Sequence, residues 1–351
     1  MNYNNLTIRS MKSLLLPILL TLVFSSSCSS GPQKEPEKAV NSPYHTLEYR
    51  GSEEQTVPRT EPVNIVIEKD LAYDKYTLDD TYPYKDTVRE FQWKKIEELL
   101  HKIETAQQHP SQWGILQNRQ NRNGLAPLAR NVKRNAYNNM EDPFGVERYQ
   151  SVPLYLVDDL SMPERYGNDG SLVRILEEPD SSDFVKVEAI YIGGEWMVPK
   201  KYVKAIADTI DRFHKIVFVD RTNQNITSLE KVDSKWLVRS MNPATTGRRR
   251  PPSQWETPTG IFVVQEKKPR MIYLKTGSSE VGGFAPHASR FCNGAYIHGV
   301  PVGSPRTSII EYSPSLGTTP RSQMCVRNAS SHAKFIYDWA PLEQALVLVI
   351  E

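Results

Sequence analysis

Short apolar runs of strand length, separated by turn residues, most strongly restrict the folds open to this chain. The clearest examples lie at residues 152–157, 172–176 and 184–188, and Gly193-Gly194 supplies a turn after the third. Many short strands joined by tight turns in so few residues predict a small β-barrel, which we place at 149–210. The 25 prolines among 351 residues also favour loops and β-structure over long helical bundles.

A second group of strands is predicted in the C-terminal part, which we place at 211–351. The runs 216–220 and 226–230 flank Asn223-Gln224-Asn225, which is a hairpin signal. The run 346–350 is unbroken and apolar, a pattern typical of a strand that is buried on both faces. The chain is therefore predicted to be mostly β.

The region 63–148 has a different character. Apolar residues recur at helical spacing between residues 86 and 108, which predicts an amphipathic helix. The following stretch, 111–142, is polar and rich in Asn and Arg, and we expect irregular structure there. This region is predicted to form an N-terminal helical and irregular segment.

The first 28 residues have the pattern of an export signal. Basic residues precede an apolar run at 14–24, which is too short to span a bilayer but fits a signal peptide. Three serines then precede Cys28, and this arrangement resembles a lipoprotein processing site, in which the cysteine is lipidated. Residues 29–62 are rich in Ser, Pro, Glu and Lys and are predicted to be a flexible linker. We expect an exported, periplasmic or cell-envelope protein, anchored to a membrane through Cys28, with ordinary signal cleavage as the alternative.

The overall charge is nearly balanced. The chain has 43 Lys and Arg residues against 41 Asp and Glu residues. A nucleic-acid footprint needs a strong basic excess, so no nucleic-acid partner is predicted.

Two segments near the C-terminus place a histidine and a cysteine in contexts that suit nucleophilic catalysis. The first is Tyr296-Ile297-His298-Gly299, and the second, residues 322–328, contains Cys325. A free thiol has a pKa near about 8.5, so little of it is thiolate at neutral pH. A neutral imidazole within hydrogen-bond reach takes the proton as attack proceeds. The two segments therefore predict a cysteine nucleophile with a histidine base.

These segments resemble the catalytic motif of the L,D-transpeptidases, the YkuD-like enzymes that crosslink bacterial peptidoglycan. In that family a His-Gly and a loop precede Ser-His-Gly-Cys, an apolar residue and then Arg or Asn. Here Gln323 and Met324 replace the second histidine and the glycine. The Thr-Thr-Gly at 245–247 and the segment 256–262 resemble further passages of the family, in the same order. The resemblance covers about residues 216–350.

The resemblance implies a C-terminal β-sandwich catalytic domain and a role for each matching residue. Cys325 is the nucleophile, His298 is the base, and the Gly299 carbonyl orients the other ring nitrogen of that histidine. Backbone N–H groups at Met324 and Cys325 would form the oxyanion hole. The residues predicted to contact the substrate are Arg327, Ser322, Met324 and Tyr296.

The implied reaction consists of two acyl transfers on peptidoglycan stem peptides. The cysteine attacks the carbonyl that precedes the terminal D-alanine, and an amine of a second stem then resolves the thioester to form a crosslink. Water as the acceptor would give an L,D-carboxypeptidase, and a protein amine would attach that protein to the wall. Gln323 and Met324 leave one further alternative, an impaired domain that binds peptidoglycan without turnover.

Other interpretations fit the sequence less well. NlpC-type cysteine peptidases place the cysteine before the histidine, which is the opposite order. A zinc site made of His287, Cys292, His298 and Cys325 lacks compact ligand spacing, so neither a metal nor a cofactor is predicted. The pattern at 149–210 resembles a bacterial Src-homology-3-like module. Such modules often bind cell wall or position a neighbouring catalytic domain, and a structural spacer is the alternative.

Two structural expectations concern the surroundings of the site. If residues 292–298 form one strand, Cys292 lies too far from Cys325 for a disulfide, and we expect Cys292 to be buried. The loop between His298 and Cys325 contains four prolines and is predicted to cover the cleft as a stiff lid, with Arg306, Tyr312 and Arg321 as possible substrate contacts.

Overall fold

The fold is mostly β, as the sequence predicts. The computed structural model describes residues 63–109, 112–207, 209–210, 212–275 and 277–351. The predicted signal peptide, Cys28 and the linker at 29–62 lie outside the described residues. No helix in the described part of the chain has the length and apolar character needed to cross a membrane.

Two α-helices and 22 strands occur within the described residues. The helices are α1 (Trp93–Ala106) and α2 (Ser330–Trp339). The strands of the first half of the chain are β1 (Ile67–Lys69), β2 (Thr81–Tyr84), β3 (Thr87–Glu90), β4 (Gln112–Leu116), β5 (Lys133–Arg134), β6 (Met140–Glu141), β7 (Ser151–Leu154), β8 (Arg165–Asn168), β9 (Leu172–Glu177), β10 (Phe184–Ala189), β11 (Glu195–Pro199) and β12 (Val203–Ala205). The strands of the second half are β13 (Lys215–Asp220), β14 (Asn225–Val232), β15 (Lys235–Pro243), β16 (Gly260–Val263), β17 (Glu266–Leu274), β18 (Val281–Cys292), β19 (Ala295–His298), β20 (Val302–Gly303), β21 (Val326–Arg327) and β22 (Ala345–Ile350).

A six-stranded sheet in the order β1-β15-β14-β13-β22-β16 forms the centre of the molecule. Strands β13 and β14 are the predicted hairpin, with Ile216 opposite Leu229. Strand β22 lies parallel to β13 and antiparallel to β16, and all six of its residues are buried. Its unbroken apolar sequence follows from this position, because both faces of the sheet are covered. The prediction for this strand is confirmed.

One face of the central sheet packs against a second sheet in the order β17-β18-β19-β21, with β20 paired to β18. Side chains from both sheets meet in one buried cluster, in which Val219 and Val347 of the first sheet join Phe291 and Ile297 of the second. Helix α2 contributes Ile336 to the same cluster. The predicted C-terminal β-sandwich is therefore confirmed, and its second sheet includes the two segments that hold His298 and Cys325.

The other face of the central sheet is covered by upstream residues. Ile96, Leu100 and Ile103 of α1 share one buried cluster with Trp236 of β15 and Leu346 of β22. The predicted helix is present but begins at Trp93 rather than near residue 86. Residues 87–90 instead pair with β2 as a short hairpin, because the chain turns at Lys85, whose φ is 53°.

A five-stranded sheet in the order β11-β10-β9-β4-β12, joined by the β7-β8 hairpin, forms a half-barrel. Strands at 151–154, 172–177 and 184–189 match the predicted runs. The expectation of irregular structure throughout 111–142 is wrong for β4, which lies between β9 and β12. This strand has only five residues inside a polar stretch, too few to show a clear period in the sequence. The Src-homology-3 likeness stays a prediction.

Candidate active site

The structure places His298 at the end of β19 and Cys325 directly before the adjacent strand β21. Strands β19 and β21 run parallel, with Ile297 opposite Val326 and His298 opposite Arg327. Cys325 directly precedes β21, so it lies level with Tyr296, two residues before the histidine. The Asn328 N–H donates to the His298 carbonyl over 3.0 Å and extends the pairing. Strand pairing thus fixes the cysteine and the histidine relative to each other.

His298 is held as a neutral, oriented imidazole. Its Nδ1 lies 2.6 Å from the Gly299 carbonyl oxygen. A carbonyl only accepts, so Nδ1 carries the proton and Nε2 keeps its lone pair. The side chain is almost fully buried. Burial lowers the pKa of His298 to about 4, and the Arg327 charge adds to this, while the bond to Gly299 opposes it. At neutral pH this ring can accept a proton at Nε2.

The Cys325 thiol is held by the hairpin turn that joins β18 to β19. Its Sγ lies 3.6 Å from the Gly294 carbonyl oxygen and also accepts a hydrogen bond from the Tyr296 backbone N–H. Burial raises the pKa of Cys325, and the Tyr296 bond and the Arg327 charge oppose this only in part. The resting group is therefore a thiol, and it needs a base to become a nucleophile.

The turn that precedes Cys325 is held by hydrogen bonds to Trp255 and Thr257, at the start of the segment that resembles the family. Met324 has a φ of 74°, a left-handed conformation that suits the glycine found there in the family. The Met324 N–H donates to the Trp255 carbonyl over 2.9 Å, and Thr257 Oγ1 donates to the Met324 carbonyl over 2.8 Å. The Met324 N–H is thus occupied, which corrects its expected place in the oxyanion hole. The Cys325 N–H remains as the candidate donor.

The other residues predicted to contact the substrate are Ser322, Arg327 and Tyr296, and they differ in burial and in hydrogen-bond partners. Ser322 is buried, and its hydroxyl donates to the Cys325 carbonyl. Arg327 is partly buried, and its charge acts on both His298 and Cys325. Tyr296 is almost fully buried, and its hydroxyl donates to Glu266 over 2.7 Å. Substrate contact by these residues stays a prediction, but the Tyr296 side chain belongs to an internal polar network.

That network links the half-barrel to the hairpin turn beside the thiol. Asp169, just after β8, accepts from Arg290 Nη1 over 2.7 Å and from the Asn293 N–H over 3.1 Å. Asp169 and Arg290 are both buried. Arg290 also lies 3.4 Å from Glu266, and the Tyr296 bond together with the charges of nearby basic residues lowers the pKa of Glu266 to about 2, although burial alone would raise it. Asp169 therefore fixes the turn that contacts Cys325.

We expect Asp169→Ala to destabilise the fold by about 3–5 kcal/mol, because it removes the buried carboxylate closest to Arg290 and also the acceptor of the Asn293 N–H, leaving Arg290 with only the longer contact to Glu266. Urea unfolding followed by circular dichroism measures this loss. Glu177→Ala is the matched control in the same half-barrel. Glu177 is 67% exposed and only 3.8 Å from Lys186, so its loss should change stability by less than about 1 kcal/mol. Equal effects of the two substitutions would contradict this prediction.

A groove of about 980 Å³ contains Cys325. Gln323, Met324 and Cys325 line it together with residues of the upstream region at 133–150 and of β8. The Tyr137 ring stacks on Trp255 at 4.9 Å, and Trp255 Nε1 donates to Glu147 over 3.2 Å. This part of the groove wall was not predicted from the sequence. The available signal was the concentration of Asn and aromatic residues between 133 and 150.

The predicted lid does not cover this groove. None of the described residues that line it lies between 299 and 322, so Arg306, Tyr312 and Arg321 are not part of its wall. The loop between His298 and Cys325 packs against parts of the chain outside the groove. Leu316 joins Val300 in a small buried cluster, and Tyr312 lies against Tyr76 at 4.5 Å between ring centroids. The prediction of a lid is wrong because these apolar contacts hold the loop against other parts of the chain.

Cys292 is fully buried, as predicted, and both described cysteines are free thiols. The assumption of one continuous strand at 292–298 is wrong. Strand β18 ends at Cys292, the chain turns at Asn293 and Gly294, and Cys292 pairs with Ala295 at the start of β19. Asn293 has a φ of 42°, as a tight turn requires.

The sandwich fold places a histidine oriented by a backbone carbonyl on the strand next to the segment that holds a groove-lining cysteine. Residues 214–349 match the L,D-transpeptidase catalytic domain known as YkuD. This part of the chain is a YkuD L,D-transpeptidase catalytic domain. No curated protein matches the chain as a whole.

Several solved structures are similar to the chain at low identity. L,D-transpeptidase 3 from Mycobacterium tuberculosis, in complex with a faropenem-derived adduct, is 15% identical with a TM-score of 0.33, over 53% of this chain and 93% of that one. An L,D-transpeptidase from Stackebrandtia nassauensis is 22% identical with a TM-score of 0.28, over 39% of this chain and 56% of that one. A fused Zn-dependent amidase, peptidase and peptidoglycan-binding protein from Clostridium acetobutylicum is 17% identical with a TM-score of 0.28, over 39% of this chain and 52% of that one.

Proposed function

We propose that this protein is a peptidoglycan L,D-transpeptidase with Cys325 as its nucleophile. The observation that supports the proposal is the pairing of β19 with β21, which brings the strand that ends in His298 next to the segment that holds Cys325; the His298 ring is oriented by the Gly299 carbonyl, and Cys325 lines the groove. The family match at 214–349 supports the choice of reaction.

In the proposed reaction, His298 Nε2 takes the thiol proton while Cys325 Sγ attacks the carbonyl that precedes the terminal D-alanine of a stem peptide. The Cys325 N–H stabilises the oxyanion of the tetrahedral intermediate. Collapse breaks the peptide bond, and the imidazolium returns the proton to the amine of the departing D-alanine. An amine of a second stem then attacks the thioester, loses a proton to His298, and regenerates the thiol on release of the crosslinked product.

We further propose that the protein acts at the cell envelope, held to a membrane by a lipid on Cys28. The support is the sequence of an apolar run, three serines and a cysteine, followed by a polar stretch long enough to act as a tether. Such an anchor would keep the groove within reach of the wall. Metabolic labelling with a radioactive fatty acid tests the anchor, and the label should disappear in a Cys28→Ala variant.

A second candidate function is peptidoglycan binding without turnover. It is favoured by the raised pKa of Cys325 and by the occupied N–H of Met324, which together remove two aids to catalysis. Both functions need the groove, so binding does not separate them. The two functions differ only in whether the bound peptide is cleaved.

The test is to incubate the full-length chain, solubilised in detergent, with disaccharide-tetrapeptide fragments and to identify the products by mass spectrometry. We expect release of D-alanine together with crosslinked dimers, both absent from a Cys325→Ala protein. Release without dimers would assign an L,D-carboxypeptidase. Binding with no release and no covalent adduct would contradict the enzymatic proposal and leave the wall-binding alternative.

A further inference from the structure

One cationic side chain on the groove wall has no counter-ion in the described structure. Arg165 begins β8, lines the groove that contains Cys325, and is partly buried. Its Nε atom is buried with no hydrogen-bond partner among the described residues, and none of their ion pairs includes it. A partly buried charge without a partner is costly, which points to a ligand that supplies one.

The nearest acidic residue does not fill this role. Asp142 is fully buried, and its carboxylate accepts hydrogen bonds from the backbone N–H groups of Phe144, Val146 and Tyr166, each 2.8–2.9 Å long. These bonds hold the loop against β8, and none of the three involves the Arg165 guanidinium. Burial lowers the pKa of Arg165, and the charge of Asp142 only partly opposes it.

The loop that Asp142 fixes also orients the guanidinium. The Arg165 guanidinium carbon lies 4.0 Å from the centre of the Phe144 ring, and that ring is 62% exposed. A guanidinium stacked on an aromatic face keeps its N–H donors along its edge. That edge forms a fork which matches a planar carboxylate in a bidentate manner.

The other basic residues of the groove differ from Arg165. Lys133 lies 3.6 Å from Glu141, and Arg221 lies 3.0 Å from Glu256, so each already has an acidic partner. Arg249 is exposed, so water solvates its charge. Among the basic residues of the described groove wall, Arg165 alone combines partial burial, contact with an aromatic ring and a buried Nε without a hydrogen-bond partner.

We propose that Arg165 binds a carboxylate of the peptide stem, so that a residue outside the matched catalytic domain takes part in substrate recognition. This inference rests on the proposed function for the identity of the peptide. The carboxylate can be the terminal one, beside the bond to be broken, or an internal one on the same stem. Both present the same planar pair of oxygens to the guanidinium.

The test measures binding rather than turnover. Calorimetry with the full-length Cys325→Ala chain in detergent compares three disaccharide-tetrapeptides: one with free carboxylates, one amidated at the terminus and one amidated at an internal carboxylate. We expect one amidated form to bind about 10- to 100-fold more weakly than the free form, which also identifies the source of the carboxylate. Arg165→Gln should abolish this preference, while Arg249→Gln should retain it.

A preference for free carboxylates that survives in Arg165→Gln would overturn the proposal, as would equal binding of all three peptides by the chain that keeps Arg165. If Arg165→Gln does not fold, Arg165→Lys replaces it, since lysine keeps the charge but lacks the fork. A folded lysine variant should lose several-fold of the preference, and an unchanged preference counts against the site. A failure of the proposed function gives a different set of results. The parent protein then releases no D-alanine, but it still prefers free carboxylates, and Arg165→Gln still abolishes that preference.

Discussion

Replacing Cys325 with alanine is expected to lower the rate of D-alanine release by about four orders of magnitude or more. Removal of a covalent nucleophile deletes the whole reaction path, so losses of this size are usual. Cys325→Ser should be almost equally inactive, because the hydroxyl is far less acidic than the thiol. The fold should be unaffected, since the side chain is small and only partly buried. Initial rates with a disaccharide-tetrapeptide provide the measurement.

The second cysteine offers a matched control. Cys292 lies in the core between the two sheets, and burial raises its pKa well above the ordinary value, so it should not react. Cys292→Ala should therefore keep nearly full turnover at some cost in stability. A carbapenem should add its mass to the parent protein and to Cys292→Ala, but not to Cys325→Ala. Turnover in Cys325→Ala above about one per cent of the parent would contradict the role of this thiol.

His298→Gln is expected to lower turnover at pH 7 by about 10²- to 10⁴-fold, the usual contribution of a general base. The pH profile should change as well. In the parent protein, protonation of His298 removes the base, so the rate should be flat around neutral pH and fall as the pH approaches its pKa of about 4. In the glutamine variant the thiolate must form unaided, and burial raises the pKa of Cys325. Its rate should therefore rise about tenfold per pH unit between about pH 6 and 8.

His101→Gln is the control for this experiment, because His101 is an exposed residue on α1. It should leave both the rate and the profile unchanged. If His298→Gln instead follows the flat profile of the parent, another group is the base. The slope is the informative quantity, since a variant that merely misplaces the strand would lose rate without gaining this dependence on pH.

The expected fall in rate at low pH must be distinguished from unfolding of the protein by acid. His298 and His332 are both buried, and burial lowers their pKa values from the ordinary 6.5 to about 4 and about 3. Between these values and 6.5 the unfolded chain binds more protons than the folded chain, so stability falls as pH falls through that window. Circular dichroism at each pH shows whether the protein is still folded where the rate declines.

The parts of the fold that sequence predicted well are those with a strong local signal. The unbroken apolar run at 346–350 predicted a strand buried on both faces. Asn223-Gln224-Asn225 predicted a turn between two strands. The resemblance to the family also implied the hydrogen bond between His298 and the Gly299 carbonyl, which the structure contains. In each case the residues that make the contact are close in sequence or belong to one motif.

The parts that were missed depend on contacts between distant residues. No local pattern shows that Trp255 holds the Met324 N–H, or that Asp169 of the half-barrel fixes the turn beside Cys325. The groove wall around Tyr137 and Arg165 had the same difficulty, because its strands have only two to four residues. Such segments are too short for a hydrophobic period to predict them as strands, and only the tertiary structure brings them to the site.

The central sheet has a consequence for any attempt to move this catalytic unit into another protein. The family match begins at residue 214, yet the outermost strand of the sheet is β1, where Ile67 lies opposite Trp236 of β15. A gene fragment cut at the family boundary would leave β15 as a bare edge, open to pairing between molecules, and would uncover the apolar face beneath α1. Truncation at that boundary would therefore favour aggregation, and a transferred fragment must extend back at least to β1 to keep the sheet covered.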